Sequence, residues 1–228
     1  MNLLRFATEK LVHWEHRSSR LLLREVEPKD VEPLTAMFQE ESARRSILRT
    51  QRSAKRMRSV MNSAATHAGN EMRTGYLFVV ENLSTREVMG ICGVSDAQRG
   101  SVGAKLGWHF GEQFSRQGYA TEAARAVMGF AFENCHVQRV IGDCFSNNHA
   151  TRRVFAKLSM HRSRFGQVFD WLLSLRYREL RSIVRYSIQR ARWESSGDNT
   201  TGADGGIADT AASAGISHSN RPPESTDV

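Results

Sequence analysis

The chain has 228 residues, of which 40% are hydrophobic and 25% charged, and this composition excludes a fibrous, collagen-like or wholly disordered protein. Its net charge of +8 is unevenly distributed, because residues 1–193 carry 31 basic and 18 acidic side chains, a net charge of +13, whereas residues 194–228 carry −5. No apolar run reaches the roughly 18 residues of a membrane-spanning helix and charges interrupt the first ten residues, so we expect a cytoplasmic protein without a signal peptide.

The two ends of the chain differ in composition from its body. Residues 194–228 contain no aromatic side chain and are rich in Gly, Ser, Thr, Ala and Asp. Such a segment buries too little apolar surface to offset an ordering cost of about 1 to 2 kcal/mol per residue. We therefore expect a disordered acidic tail at 194–228, one folded domain at 17–193 and an N-terminal extension at 1–16.

Hydrophobic periodicity predicts ten elements within that domain. In chain order they are a strand at 21–24, helices at 30–38 and 52–65, strands at 76–81, 88–94 and 104–110, a helix at 121–135, a strand at 139–145, a helix at 149–158 and a strand at 184–188. Three consecutive strands favour an antiparallel meander, and the later strand–helix–strand order adds a parallel neighbour. The sequence predicts an α+β fold in three layers, a mixed sheet flanked by helices.

A short loop joins the strand at 104–110 to the helix at 121–135. Its sequence is Ser115-Arg116-Gln117-Gly118-Tyr119-Ala120. Unpaired amides and a partial positive charge at the start of a helix suit a pyrophosphate, and a glycine lets phosphate oxygens approach the backbone. These features indicate a phosphate-binding loop; the alternative is an ordinary strand-to-helix turn.

The same loop resembles the Gln/Arg-x-x-Gly-x-Gly/Ala signature with which the GNAT superfamily of N-acetyltransferases binds acetyl-CoA. Residues 148–151, Asn-His-Ala-Thr, and 154–158, Val-Phe-Ala-Lys-Leu, are similar to the Asn-x-x-Ser and Lys-Leu-Gly-Phe motifs of the branch that includes the ribosomal-protein N-terminal acetyltransferases of the RimJ and RimL type. Residues 20–24 and 186–188 resemble the opening and closing strands of that branch. The resemblance implies the GNAT fold, with a mostly antiparallel sheet of six to seven strands, and acetyl-CoA as co-substrate.

The resemblance also implies which residues bind acetyl-CoA. They are Trp108, His109, Phe110, Arg116, Gln117, Gly118, Tyr119, Ala120, Thr121, Asn148 and Thr151. Two positions depart from the family pattern. Ser115 stands where a Gln or Arg is usual, and Phe155 stands where many members carry a tyrosine thought to protonate the departing thiolate. Thr151, expected near the sulfur, could stabilise or protonate that thiolate instead.

The implied reaction is a direct attack of an amine on the thioester. The sheet should splay open beside the strand at 104–110 so that backbone amides can polarise the acetyl carbonyl, and a general base must take a proton from the amine. Asp143, His109 and Glu112 are the candidates for this base. The expected catalytic residues are Asp143, His109 and Thr151. Each candidate base also has a purely structural interpretation. No metal is expected, because the three cysteines lack ligand spacing.

Basic residues cluster in the region that, by resemblance, forms the acceptor side. Residues 44–58 carry seven positive charges and no acid, and Arg176, Arg178, Arg181 and Arg185 form a second cluster. Either could bind a ribosomal or other anionic surface, be screened by the acidic tail, or be a solvated face. We expect a monomeric or homodimeric N-acetyltransferase acting on a protein N-terminal α-amine. The alternatives are a small-molecule amine acetyltransferase and a non-catalytic module that binds acetyl-CoA or RNA.

Overall fold

The computed structural model describes residues 14–41, 43, 53–68, 70, 73–163 and 183–196. Within these residues the strands are β1 His16–Arg17, β2 Leu21–Glu25, β3 Tyr76–Asn82, β4 Val88–Ser95, β5 Ala104–Phe110, β6 Arg139–Phe145, β7 His161–Arg162 and β8 Ile183–Gln189. The α-helices are α1 Val31–Met37, α2 Ala54–Thr66, α3 Tyr119–Glu133, α4 His149–Lys157 and α5 Arg190–Ser195. Short 3-10 turns lie at Pro28–Asp30 and Glu112–Phe114.

The strands form one sheet in the order β1-β2-β3-β4-β5-β6-β8-β7. Neighbours pair in antiparallel fashion except β5 and β6, which are parallel. This arrangement confirms the predicted α+β class and the mixed, mostly antiparallel sheet. The described sheet has eight strands instead of six to seven, because β1 and β7 have two residues each and are too short to show a period of two in the sequence.

The parallel pair is the feature that positions the site. β5 and β6 pair only at Ala104 with Val140 and at Lys105 with Ile141. Beyond those residues the two strands diverge, while β5 stays paired with β4 as far as Phe110. The backbone of β5 from Leu106 onward therefore has no strand partner on the β6 side among the described residues, and the sheet opens there in a V.

The two faces of the sheet carry separate cores. On one face α3 packs its buried side against the strands, and the large core there includes Phe78, Val80, Leu106, Val127, Phe130 and Val140. On the other face α1 and α2 cover a smaller core made of Val26, Val31, Leu34, Phe38, Met61, Val79 and Ile91. The alternation along β3 assigns Phe78 to one core and Val79 to the other. The result is three layers, as predicted.

The first helical turn is fixed by a buried acid. The sequence predicts Asp30 near the cap of a helix; it lies at the last position of the 3-10 turn, just before α1. Its carboxylate accepts hydrogen bonds from the amide of Glu27 at 2.8 Å and from the guanidinium of Arg24 at 2.7 and 2.8 Å. The polar start of α1 is therefore anchored to β2.

Several expectations fall partly or wholly outside the described residues. Of the basic segment only 53–58 is described, and of the second cluster only Arg185; the acidic tail beyond residue 196 and residues 1–13 also lie outside. The division at residues 17 and 193 stays a prediction, although Trp14 already packs against Phe78, with ring centroids 4.5 Å apart. No described helix is long and apolar enough to cross a bilayer. All three cysteines are buried, and burial raises the pKa of the Cys135 and Cys144 thiols to about 11.

Candidate active site

The loop before α3 has an unusual backbone. Arg116 has φ of 61° and Gly118 has φ of 87°, both in the left-handed region. α3 begins at Tyr119, and the amides of Thr121 and Glu122 return to the carbonyl of Gly118 at 3.0 and 3.1 Å. Among the described residues, the amides of residues 116–120 have no backbone acceptor. Alternating handedness and free amides at a helix start make an anion-binding concavity.

Aromatic rings close one side of the V between β5 and β6. The rings of Trp108 on β5 and Phe155 on α4 meet edge to face, with centroids 5.4 Å apart. Phe155 is buried over Gly142 of β6, where an added Cβ would lie 2.4 Å from its ring. Tyr186 stacks on Phe155 at 5.1 Å, and its hydroxyl accepts a hydrogen bond from Arg152 at 3.2 Å. The ring at position 155 is thus firmly placed and carries no hydroxyl.

Asn148 and Thr151 lie together at the start of α4. The side-chain oxygen of Asn148 accepts a hydrogen bond from the amide of Thr151 at 3.0 Å, so the capping role expected for the Asn is present. Both side chains are half-buried. Within the described part of the chain the hydroxyl of Thr151 makes no hydrogen bond, which leaves it available to a ligand. Their roles towards acetyl-CoA stay predictions.

His109 lies near the open end of β5 on the face covered by α1. Its side chain is buried, its Nε2 is 3.4 Å from the carbonyl oxygen of Met37, and its ring lies 4.4 Å from that of Phe38. Burial lowers the pKa of His109, an effect larger than the opposing influence of the Met37 carbonyl and of Glu40. The imidazole is therefore neutral at pH 7, the state in which one ring nitrogen can accept a proton.

The other two candidate bases have different surroundings. Asp143 lies on β6, the opposite arm of the V, and both its oxygens accept hydrogen bonds from Arg185 of β8, at 2.7 and 2.8 Å. Glu112 is exposed in the 3-10 turn, and its backbone amide donates to the Glu40 carboxylate at 3.0 Å. The structure thus distributes the three candidates over separate elements, and Asp143 is engaged by an ion pair.

A cavity of about 740 Å³ lies between α2 and strands β3–β5 and reaches His109. Its apolar lining includes Phe38, Met57, Val60, Ala64, Leu77, Ile91 and Trp108. The cations in its lining are Arg73, which forms a buried ion pair with Glu25, and Lys105, whose Nζ lies 3.4 Å from Asp96. No carboxylate belongs to the described lining. The described lining of the cavity is therefore mostly apolar.

A family model described as "Acetyltransferase (GNAT) domain" matches residues 20–161, more than half of the chain. The chain belongs to the GNAT acetyltransferase family. The predicted family and the predicted enzyme class, an acetyl-CoA-dependent N-acetyltransferase, are thereby confirmed. Among curated relatives of this GNAT domain is "Uncharacterized N-acetyltransferase YnaD" from Bacillus subtilis, 34% identical over 61 residues. That alignment covers 27% of this chain and only 36% of YnaD.

Solved structures share the GNAT fold at low sequence identity. A GNAT-family acetyltransferase from Bacillus anthracis is 21% identical, with a TM-score of 0.60 and coverage of 78% of this chain and 99% of that one. The ribosomal-protein-S5-alanine acetyltransferase from Vibrio fischeri is 10% identical (TM-score 0.59; 79% and 98%), and the spermidine N-acetyltransferase from Vibrio cholerae, in complex with CoA and spermine, is 12% identical (TM-score 0.61; 78% and 99%). Proteins named for different acceptors thus share this fold equally well.

Sequence reasoning missed most of the wall of the cavity in this GNAT domain. Met57 lies in the basic segment 44–58 expected on the acceptor side, but Val60 and Ala64 were predicted only as part of a helix, and Arg73 and Leu77 were not assigned to a site. One signal was present, because Met57, Val60 and Ala64 recur at helical spacing along α2. The residues that β3 contributes to the cavity gave no such signal, since any half-buried strand shows the same alternation of buried and exposed side chains.

Proposed function

We propose that this protein transfers the acetyl group of acetyl-CoA to the α-amine at a protein N-terminus. The observation that carries the proposal is that His109 lines a large, mostly apolar cavity beside the open end of β5. Such a cavity can seat the first side chain of a peptide while its amine faces the imidazole. In this proposal the protein uses the same kind of acceptor as the ribosomal-protein acetyltransferases, a protein N-terminus.

The charge of the cavity supports this acceptor over a polyamine. A polyamine carries several positive charges and is held by acidic groups, yet the described lining contains no carboxylate. Lys55 and Arg56, at the start of α2, are exposed and add to the positive potential of this helix. An anionic stretch following the N-terminus, or an anionic surface around the acceptor, would be attracted to this side of the protein.

The base strength of His109 supports the same acceptor. We propose His109 as the general base, because it is neutral at pH 7 and lines the cavity. A histidine with a lowered pKa is a weak base and is better matched to an α-ammonium, with a pKa of about 8, than to a lysine or polyamine ammonium, with a pKa above about 10. Asp143 and Glu112 are the candidates that this assignment displaces.

The donor side is supported by the backbone of the V and its loop. Acetyl-CoA supplies an acetyl group activated as a thioester. The free amides of residues 116–120 and the start of α3 fit its pyrophosphate, and the unpaired backbone of β5 fits its pantetheine arm and acetyl carbonyl. Asn148 and Thr151 face the same arm in this proposal, with the Thr151 hydroxyl donating to the sulfur as it leaves.

The test is an acceptor screen with the full-length protein. Free-thiol release from acetyl-CoA is measured with peptides of free α-amine, the same peptides N-terminally blocked, amino acids, spermidine and spermine. We expect turnover with free peptides and none with blocked ones, and mass spectrometry should place the acetyl group on the terminal nitrogen. Preferred turnover of spermidine or of amino acids would reject the protein acceptor. Binding of acetyl-CoA without turnover of any amine would instead favour the non-catalytic module.

A further inference from the structure

The pyrophosphate loop of this protein lacks one long polar side chain. Ser115 occupies the first position of the signature, and its exposed side chain is too short to reach across the loop. Its amide is already bonded to the carbonyl of Glu112 at 3.0 Å. The position that carries Gln or Arg in the family signature therefore supplies no long donor here, and residues outside the signature that reach the loop become relevant.

Arg20, which directly precedes β2, reaches this loop from nearly one hundred residues away. Its Nη1 donates to the carbonyl of Gln117 at 3.1 Å, and its guanidinium carbon lies 4.5 Å from the centre of the Tyr119 ring. A Cβ added to Gly118 would lie 3.5 Å from Nη2 of Arg20. The guanidinium thus lies against the glycine at which phosphate oxygens approach the backbone.

A carboxylate on α3 holds Arg20 in this position. Glu122 accepts hydrogen bonds from Nε and Nη2 of Arg20 at 2.9 and 2.5 Å, and from the hydroxyl of Ser18 at 2.5 Å. A guanidinium fixed at two points loses little further freedom when it binds an anion. The arrangement orders the side chain before any ligand arrives.

The contacts leave donors unused. A guanidinium has five N–H groups, and the contacts to Glu122 and Gln117 occupy three of them. One N–H on Nη1 and one on Nη2 have no acceptor among the described residues, and the side chain is 45% exposed. Two free N–H groups of a guanidinium can donate to the oxygens of a phosphate.

We propose that Arg20 binds the pyrophosphate of acetyl-CoA directly, in place of the side chain that Ser115 does not provide. The proposal rests on the proposed function, because it requires acetyl-CoA at this loop. It makes Arg20 a substrate-binding residue supplied by the opening strand rather than by the signature. It also gives Glu122 a defined part, which is to hold the guanidinium and not to contact the ligand.

A second role must be separated from direct binding. Without Arg20, the Glu122 carboxylate would stand uncompensated beside the pyrophosphate and repel it. Arg20→Gln removes the N–H donors and also the positive charge that compensates the Glu122 carboxylate. Arg20→Gln combined with Glu122→Gln removes the same donors but leaves no carboxylate charge that needs compensation. Glu122→Gln alone is the matched control that keeps the guanidinium. Thermal unfolding of each variant establishes that it is folded before binding is compared.

Isothermal titration with CoA is the primary measurement. We expect Arg20→Gln to weaken CoA binding by about 10- to 100-fold, the range for losing hydrogen bonds to a charged group, and the double variant to remain as weak. S-acetyl-N-acetylcysteamine, an acetyl donor without phosphates, gives a second readout. Its kcat/KM should be the same in wild type and Arg20→Gln, while that for acetyl-CoA falls.

The outcomes separate this proposal from the proposed function. Equal CoA affinity of wild type and Arg20→Gln would overturn it, and so would full recovery of affinity in the double variant, which would assign Arg20 to charge compensation alone. An equal loss with the phosphate-free donor would overturn it as well, since the defect would then lie outside the pyrophosphate. Absence of CoA binding by the wild-type protein would instead reject the proposed function itself.

Discussion

Asp143 and Arg185 form a two-point ion pair across neighbouring strands, with both carboxylate oxygens hydrogen-bonded to the guanidinium at 2.7 and 2.8 Å. The two residues are directly paired in the register of β6 and β8. A carboxylate held in this way has both oxygens engaged by the guanidinium of a neighbouring strand. The pair therefore bears on which residue deprotonates the acceptor.

Asp143→Asn should leave the pH dependence of the reaction in place. The reason is that His109, not Asp143, is the proposed base; the substitution removes a partly exposed ion pair, worth up to about 1 kcal/mol of unfolding free energy. We expect kcat to fall by less than tenfold. The measurement is kcat/KM between pH 5.5 and 9 for wild type and variant. Loss of the acid limb in Asp143→Asn would return Asp143 to the role of base.

His109→Gln should lower kcat by about 10²- to 10⁴-fold, the usual contribution of a general base. Burial lowers the pKa of His109 from 6.5, so the wild-type imidazole is neutral above that value and kcat/KM should fall only as the pH drops below it. The variant should lose this acid limb. Glu112→Gln, which alters an exposed carboxylate beside the same strand, is the control and should retain both rate and profile. A normal acid limb in His109→Gln would contradict the assignment.

Gly107→Val should block the acceptor without unfolding the protein. Gly107 lines the cavity between Lys105 and His109, and a Cβ built on it meets no atom within 4 Å. We expect the KM of the peptide acceptor to rise at least tenfold while CoA affinity is unchanged. Gly129→Ala on α3, where the nearest atom is 3.8 Å from the added Cβ, is the control. Unchanged acceptor kinetics in Gly107→Val would mean that the acceptor binds elsewhere.

Gly142→Ala should destabilise the protein by about 1 to 3 kcal/mol, the cost of overpacking a filled core. The added Cβ would lie 2.4 and 2.5 Å from two ring carbons of Phe155, which is buried between Trp108 and Tyr186. Urea denaturation gives the free energy of unfolding. Replacing the ring by a smaller side chain, in Gly142→Ala combined with Phe155→Leu, should recover part of the lost free energy of unfolding. Additive losses of free energy in the double variant would show that the two residues do not compete for space.

Periodicity and apolar runs predicted most of this fold, because most of the strands and helices that carry it span seven or more residues. The end of β5, the glycine before α3 and the cap formed by Asn148 were also predicted, because each depends on residues that are neighbours in the sequence. Contacts between distant segments left no such pattern. Arg20 and Glu122 are 102 positions apart and Asp143 and Arg185 are 42 positions apart. No local pattern in these segments predicts which residue each one contacts. The proposal of His109 among the three candidate bases therefore uses a contact, the ion pair of Asp143, that the sequence did not indicate.

Arg24→Met should cost about 3 to 5 kcal/mol of unfolding free energy, because it leaves buried acids without their partner. The Arg24 side chain is 13% exposed and binds both Asp30, which is 3% exposed, and Glu81. Burial raises the pKa of Asp30, but hydrogen bonds from Arg24 and the Glu27 amide outweigh it and the net pKa is lowered. Stability from Asp30 is thus present above its ordinary value of 3.8 and is lost as the pH falls through its lowered pKa. Arg24→Met combined with Asp30→Asn should recover part of the loss at pH 7 in urea denaturation, and a double variant as unstable as Arg24→Met alone would show that Asp30 is not the acid left uncompensated.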